Sequence, residues 1–332
     1  MTPPRSETLA RALAPLSALW GLVVARRNRR FDRGEGVHRA AVPVVSVGNL
    51  AVGGTGKTPM TAWLAARLAA RGRRSAIVTR GYGGRAGVGP LDVSRGGGPL
   101  VDAAVGGDEP VLLARLTSAV VVAGSDRVAG ARRAVELGAD VVILDDGFQH
   151  RRLDRDLDVV LLDAASPFGN GRLLPAGPLR EPPSSLARAG IVVLTRWSGE
   201  APPAGIAAPV VRARHRNAGF RDAAGREVPA PGRAFAFCGI ARPASFLDSL
   251  RGAGVEIAGT RAFPDHHRFD AADLRALADG ARERGAAIVT TMKDLVRLSG
   301  ALPDVIALHV ELDVVDPDPL EAALDAVTGR WR

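Results

Sequence analysis

The most constraining stretch of the chain lies at residues 44–59. Val44-Val45-Ser46-Val47-Gly48 is an apolar run of strand type, Gly53-Gly54-Thr55-Gly56-Lys57-Thr58 follows, and Pro59 opens a helical stretch. Strand, glycine loop, Lys-Thr pair and helix, in that order, are the parts a phosphate-binding loop needs. Glycines let backbone N–H groups turn inward around phosphate oxygens. The helix N-terminus adds a favourable dipole. Lys57 is then expected to reach the β and γ phosphates of ATP, and the Thr58 hydroxyl to hold Mg²⁺. Pro59 costs little there, because its missing N–H falls in the first turn. The segment from Val52 to Pro59 therefore predicts ATP binding, with γ-phosphate transfer to an acceptor as the activity.

The rest of the chain fits an α/β fold around that loop. Short Val- and Ile-rich runs alternate with helical stretches. Strands are expected at Val42–Val47, Ser75–Thr79, Ala119–Ala123, Val141–Leu144, Val159–Leu162 and Ile191–Thr195. Helices are expected at Pro59–Ala70, Glu109–Leu116 and Arg127–Leu137. Continuous apolar runs between helices indicate a parallel sheet with helices on both faces, as in nucleoside triphosphate hydrolases with a phosphate loop. Residues 198–231 are rich in Pro, Gly and Ala and read as a linker with a small hairpin. A second, smaller α/β pattern follows, with strands at Ala234–Cys238, Ile288–Thr291 and Val305–Val310 and helices at Ala244–Arg251 and Ala271–Glu283. Gly87–Gly98 reads as a glycine-rich loop. The expected division is residues 1–30 as a docking helix, 31–197 as the kinase domain, 198–231 as the linker and 232–332 as a second domain closing over ATP. A length of 332 residues agrees with two domains.

The net charge of +9 draws the surface to something anionic. The cations are almost all arginine; Lys57 and Lys293 are the two lysines, Tyr82 the single tyrosine and Gln149 the single glutamine. Residues that survive such a coding bias mark function. One cysteine, Cys238, rules out an internal disulfide and fits a reducing compartment.

At the amino terminus Leu9, Leu13, Leu16, Trp20 and Val23 recur at helical spacing, with Arg26, Arg27, Arg29 and Arg30 after them. The uncharged run from Ala12 to Ala25 is shorter than the roughly 20 residues a membrane span needs. A helix lying in an anionic membrane surface is expected; packing on the protein's own core is the other reading.

Val141-Val142-Ile143-Leu144 ends in Asp145-Asp146, at the carboxyl end of a strand where ligands of parallel sheets bind. One of the two acids is expected near the Mg²⁺ on Thr58. Gly107-Asp108-Glu109-Pro110 opens a helix, so Asp108 is either an N-cap or a general base for a hydroxyl nucleophile. In Pro264-Asp265-His266-His267 one histidine facing the cleft could orient that base. Thr290-Thr291-Met292-Lys293-Asp294 reads either as a base-reading loop or as a salt-bridged one. No Cys or His cluster supports zinc.

In combination these motifs resemble the tetraacyldisaccharide 4'-kinases of lipid A biosynthesis. The likeness is carried by Ser46 to Leu50, Val52 to Pro59, Arg80 to Gly84, Gly107 to Pro110, Asp145 to His150, Leu173 to Glu181 and Phe263 to His267. Ala51, where the usual phosphate loop begins with Gly, is normal for that family. The resemblance implies phosphorylation of the 4'-hydroxyl of tetraacyldisaccharide 1-phosphate to give lipid IV-A, with Mg²⁺, at the cytoplasmic face of the inner membrane. It implies Asp108 as base, paired with His266, and Lys57, Thr58 and Asp145 on phosphate and metal. Glu109 is expected to join Thr58 and Asp145 as a metal ligand, and the resemblance implies Arg180 near the phosphates, with Gln149, His150 and Tyr82 expected at the lipid headgroup.

Two other functions set the contrast. Partition-type ATPases have a similar loop with an extra lysine at the place of Val52, so an ATPase switch regulating a protein partner is the alternative. A nucleic-acid module is disfavoured: aromatics are 4% of the chain and no base-stacking motif is present.

Overall fold

The computed structural model describes residues 7–85, 89–298 and 300–329. Two helices open the chain, α1 (Glu7–Ala12) and α2 (Ala14–Asp32). The next elements are β1 (Val44–Asn49), α3 (Lys57–Ala70), β2 (Ser75–Thr79), β3 (Leu91–Arg95), α4 (Ala103–Gly106), α5 (Asp108–Leu116), β4 (Val120–Ala123), α6 (Arg127–Glu136), β5 (Val141–Asp145), β6 (Leu157–Asp163) and β7 (Ile191–Thr195). A long β8 (Val210–Arg221) and a short β9 (Glu227–Val228) follow. The second lobe holds β10 (Arg233–Cys238), α7 (Pro243–Gly252), β11 (Glu256–Ala262), α8 (Ala271–Glu283), β12 (Ala287–Thr291), α9 (Met292–Leu298) and β13 (Ile306–Val314), and α10 (Asp318–Gly329) ends the described chain.

The strands form one sheet of 13, in the order β11-β10-β12-β13-β8-β7-β6-β1-β5-β2-β4-β3 with β9 on β8. Both lobes are parallel inside: β1 pairs β5 and β6, and β10 pairs β11 and β12. β3 is antiparallel to β4 at the edge. It replaces part of the glycine-rich loop expected at Gly87–Gly98, whose residues 87 and 88 lie outside the described residues.

β8 makes the two sheets one. Its start, Val210–Arg212, pairs parallel with β7, and its remainder, Ala213–Arg221, runs antiparallel to β13. The segment 198–231 expected as a linker thus carries a 12-residue strand, closed by a small hairpin onto β9. The second lobe also returns to the first. Leu320, Leu324 and Val327 of α10 enter the first lobe's core beside Val193 and Val211, and Arg71 pairs with Glu321 and Asp325 of α10.

Successive side chains of a strand point to opposite faces. Val45 and Val47 face Met60, Leu64 and Leu68 of α3, while Val44 joins Val78, Val122 and Ala131 on the α6 side. Both faces are covered, so β1 is buried at every position. The Met60, Leu64 and Leu68 stripe is fully buried, each side chain contributing roughly 1.5–3 kcal/mol by leaving water. That packing holds the first turn of α3, and therefore Lys57 and Thr58, at the carboxyl edge of the sheet.

Candidate active site

Residues 50–56 cross from β1 to α3. Gly53 (φ 118°) and Gly56 (φ 87°) take backbone conformations that side chains disfavour. The Gly54 carbonyl accepts from Arg196 Nη1 at 2.8 Å and the Thr55 carbonyl from Thr195 Oγ1 at 2.9 Å. In a trans peptide the N–H points opposite to the carbonyl, so the amides of Thr55 and Gly56 point away from Arg196 and Thr195. The Thr55 hydroxyl takes the Asn49 amide at 2.9 Å. Val52 N donates to Pro178 O and Arg180 N to Leu50 O, so the 173–181 segment braces the loop from its other flank. Arg196 and Arg242, the latter from the second lobe, share Asp163 behind it.

Lys57 and Thr58 start α3. Lys57 Nζ lies 3.5 Å from Asp146 Oδ1. Arg180 Nη1 reaches both oxygens of the same carboxylate, at 3.0 and 2.9 Å. Burial opposes ionisation of Asp146, but Lys57 and Arg180 hold its carboxyl below the usual range. Asp145 is the opposite case. It is fully buried, with its oxygens accepting from Thr61 Oγ1 at 3.0 Å and Thr79 Oγ1 at 3.3 Å. Burial and the nearby charges of Glu109 and Asp146 push its carboxyl up to about 6. Asp145 ends β5 with its side chain buried, and Asp146, in the turn just after it, faces the phosphate-loop lysine.

Each of these acids has a cation near it, Lys293 Nζ standing 3.7 Å from Glu109, so a divalent ion is not forced by net charge; one beside Asp145 would relieve its repulsion by Glu109 and Asp146. Among the described residues no group of three or more His, Cys, Asp or Glu is close enough to hold an ion by itself. Mg²⁺ tolerates that, since it keeps several waters and takes one or two carboxylates plus substrate phosphates.

Asp108 is no N-cap. That place belongs to Gly107 (φ 89°), and Asp108 is the first residue of α5. Its Oδ2 meets His266 Nδ1 at 3.0 Å and Arg297 Nε at 2.6 Å. Burial opposes its ionisation, yet His266 and Arg297 hold its carboxyl below the usual range. Lys293 Nζ stands 3.3 Å from His266 Nε2 and 3.4 Å from Asp265 Oδ1. A lysine donating to Nε2 leaves the Nδ1 proton to be given to Asp108. His266, at φ 61°, is the histidine that faces the cleft. His267 stacks on Phe263 and bonds Asp273.

The Thr290–Asp294 segment is salt-bridged: Asp294 is fully buried, and its oxygens accept from Gly239 N, Thr291 Oγ1 and Arg297 Nη1. Sequence reasoning missed Arg297. The available signal was its position, four residues after Lys293 on the helix that follows β12.

Tyr82 packs edge-on against His266, ring centroids 5.2 Å apart, and is exposed on its other side. Two glycine motifs bring it there. A Cβ on Gly84 would stand 2.5 Å from the Val105 carbonyl oxygen, and one on Gly107 2.8 Å from that of Tyr82. Gln149 gives its amide to Asn49 O at 2.9 Å, and its carbonyl oxygen lies 3.5 Å from Arg180. His150 is pushed down to about 4 by burial and by Arg127 and Arg152, and its buried Nε2 has no partner.

Helix α2 borders this site. Ser17 Oγ donates to Leu173 O and accepts from Ala176 N; Trp20 Nε1 donates to Arg180 O; Arg27 and Asn28 hold the buried Glu181. The opposite face leaves Leu16, Leu19, Leu22 and Val23 exposed. The apolar repeat read from the sequence mostly points away from the protein's core. No helix among the described residues is long and apolar enough to cross a membrane.

Residues 9–329 match the family described as tetraacyldisaccharide-1-P 4'-kinase. A "Tetraacyldisaccharide 4'-kinase" of Anaeromyxobacter dehalogenans (strain 2CP-C) is 49% identical over 344 residues, 95% of this chain and 90% of that one. One from Geobacter metallireducens is 46% identical, over 95% of this chain and 97% of its own. The crystal structure of the "apo" form of LpxK from Aquifex aeolicus in complex with ATP superposes with a TM-score of 0.84, at 34% identity, covering 96% of this chain and 99% of that one.

Proposed function

The chain belongs to the tetraacyldisaccharide-1-P 4'-kinase family, and on that premise we propose how its residues carry out the reaction. It is an ATP-dependent kinase that moves the γ-phosphate of ATP to the 4'-hydroxyl of tetraacyldisaccharide 1-phosphate, forming lipid IV-A in lipid A biosynthesis. The relatives give no support to the ATPase-switch reading.

One observation carries the residue assignment. Lys57, Asp146 and Arg180 gather at one end of the site, while Asp108, fixed by His266, opens onto it from α5. The loop amides from Gly53 to Thr58 cradle the triphosphate; the Val52 amide, expected among them, is instead spent on Pro178 O. Lys57 and Arg180 spread the charge that builds on the transferring phosphoryl group. Thr58, Asp145 and Glu109 would hold Mg²⁺, whose charge would offset that of the phosphate oxygens. Asp108 accepts the 4'-hydroxyl proton as the new P–O bond forms, and His266 fixes the orientation of its carboxylate. Tyr82, Gln149 and His150 line the acceptor side. The two lobes, joined through β8, close over the nucleotide.

The exposed stripe of α2 and the arginines at 26, 29, 30 and 33 suit a peripheral position on an anionic membrane, at the cytoplasmic face of the inner membrane where ATP and the lipid acceptor meet. The deciding experiment is phosphotransfer from labelled ATP to a tetraacyldisaccharide 1-phosphate in detergent micelles. Absence of labelled lipid would overturn the assignment. Near-normal turnover by purified Asp108→Asn would remove the base, whose loss is expected to lower turnover by roughly 10²–10⁴.

A further inference from the structure

Arg297 has a more specific task than neutralising charge. Its side chain is only 5% exposed. Nη1 donates to Asp294 Oδ1 and to the Gly239 carbonyl, both at 2.8 Å. Asp294 is itself immobilised, accepting from Gly239 N and Thr291 Oγ1. The guanidinium is therefore bolted to a floor made by the end of β10 and the turn from β12 into α9. From that floor Nε reaches across to Asp108 on α5, at 2.6 Å.

The oxygen it meets is the informative part. Arg297 Nε and His266 Nδ1 both approach Oδ2 of Asp108. Two donors on one oxygen fix the rotation of the carboxylate and leave Oδ1 as the oxygen able to take a proton. A planar fork held at three points can set that rotation; a single ammonium group cannot.

We propose that Arg297 is a positioning residue of this kinase: anchored on Asp294 and Gly239, it fixes the Asp108 carboxylate so that Oδ1 faces the acceptor hydroxyl. This rests on Asp108 being the base. Arg297 acts through Asp108, the group its Nε meets.

The test uses the full chain with Arg297→Lys, Arg297→Met, Asp108→Asn and the double variant Asp108→Asn/Arg297→Met. Turnover, KM for ATP and the thermal midpoint are measured for each. A misplaced base costs up to roughly 10²-fold. Arg297→Lys and Arg297→Met are expected to lower kcat by roughly 10–10²-fold with KM for ATP changed by less than about twofold. In the Asp108→Asn background the same Met substitution is expected to change kcat by less than about twofold, because the group it acts through is gone. Equal losses in both backgrounds would overturn the proposal, as would near-normal kcat in Arg297→Lys. Should Arg297→Met fail to fold, with Asp294 left unpaired, Arg297→Lys and Asp108→Asn/Arg297→Lys carry the same comparison. A nearly normal Asp108→Asn would instead overturn the base assignment, a separate result from a weak Arg297 effect beside a crippled Asp108→Asn.

Discussion

Asp146 Oδ1 stands 3.5 Å from Lys57 Nζ while the other oxygen of that carboxylate is 2.9 Å from Arg180 Nη1. One acid thus collects two of the cations that border the phosphate loop, and it does so at φ 52°, outside the usual range for a side-chain-bearing residue. Asp146→Asn keeps the shape and removes the charge that holds both. Turnover is expected to fall by roughly 10²–10³-fold, the span found when one preorganised donor to developing charge is lost. Lys57→Ala is expected to fall at least as far. The double variant should fall by less than the product of the two, because contacting residues are coupled. Labelled phosphate transfer at saturating acceptor measures all three. Independent, multiplying losses would show that Asp146 does not act through Lys57.

The phosphate loop was legible because its chemistry needs residue types at fixed spacing, and the strands around it because burial on both faces suppresses polar alternation. The same reading could not choose between His266 and His267. The choice is made by the backbone at His266, which turns that ring to Asp108 and its neighbour to Phe263 and Asp273. Asp108 as a cap was a reasonable expectation by residue type, but Gly107 takes the capping place and frees the carboxylate for the cleft. Arg297 was hidden by abundance: in an arginine-rich chain, rarity singles out Lys57 and Lys293 and passes over a guanidinium of equal consequence. β8 was hidden by composition. Val211 and Ala213 alternate with Arg212 and Arg214 at strand period, and only Val211 and Ala213 are buried, yet the Pro, Gly and Ala around them read as a linker.

His150 gives the fold an acid-sensitive point. Burial, then Arg127 and Arg152, lower its folded pKa to about 4. An unfolded histidine has a pKa of about 6.5. As pH falls through that interval the unfolded chain takes up a proton that the folded chain refuses. Stability contributed by the neutral imidazole is present above pH about 6.5 and is lost as pH falls toward about 4. The thermal midpoint of the parent chain is therefore expected to drop more steeply over that interval than that of His150→Asn. Parallel profiles for the two proteins would remove His150 as the cause.

The pairing of Gly84 with Gly107 makes a second stability prediction. An added Cβ at Gly84 meets backbone atoms, Val105 O at 2.5 Å and Gly107 N at 2.6 Å, which cannot rotate away. At Gly107 the same atom meets Tyr82 O at 2.8 Å, at a φ of 89° that a side chain strains. Gly107→Ala is expected to cost roughly 1–3 kcal/mol from the backbone alone, and Gly84→Ala to separate the Tyr82 turn from the start of α5. Denaturant unfolding measures both. The Gly84 variant should also lose turnover, because Tyr82 packs on His266 and Asp108 begins α5; a destabilised but fully active Gly84→Ala would uncouple that turn from the catalytic dyad.

Helix α2 has two faces, and substitutions on them should part cleanly. On the inner face Ser17 bonds Leu173 O and Ala176 N, and Trp20 bonds Arg180 O. On the outer face Leu19 is 59% exposed and Leu22 67%. Burying one such side chain is worth roughly 1.5–3 kcal/mol. Replacing Leu19 and Leu22 together by Ser therefore removes enough apolar area to weaken partitioning onto anionic vesicles by roughly 10–10²-fold, with the unfolding midpoint little changed because both side chains are mostly exposed. Ser17→Ala should do the reverse. It strands the Ala176 amide of the loop that leads to Arg180, while the Leu173 carbonyl keeps Gly177 N, at a cost of roughly 1–3 kcal/mol, and it leaves the vesicle-facing stripe intact. Co-sedimentation with vesicles rich in anionic lipid, read beside thermal unfolding, separates the two. If the outer-face double variant sedimented like the parent chain, the stripe would not be what meets the membrane. If Ser17→Ala lowered sedimentation as much as stability, the helix would not present two independent faces.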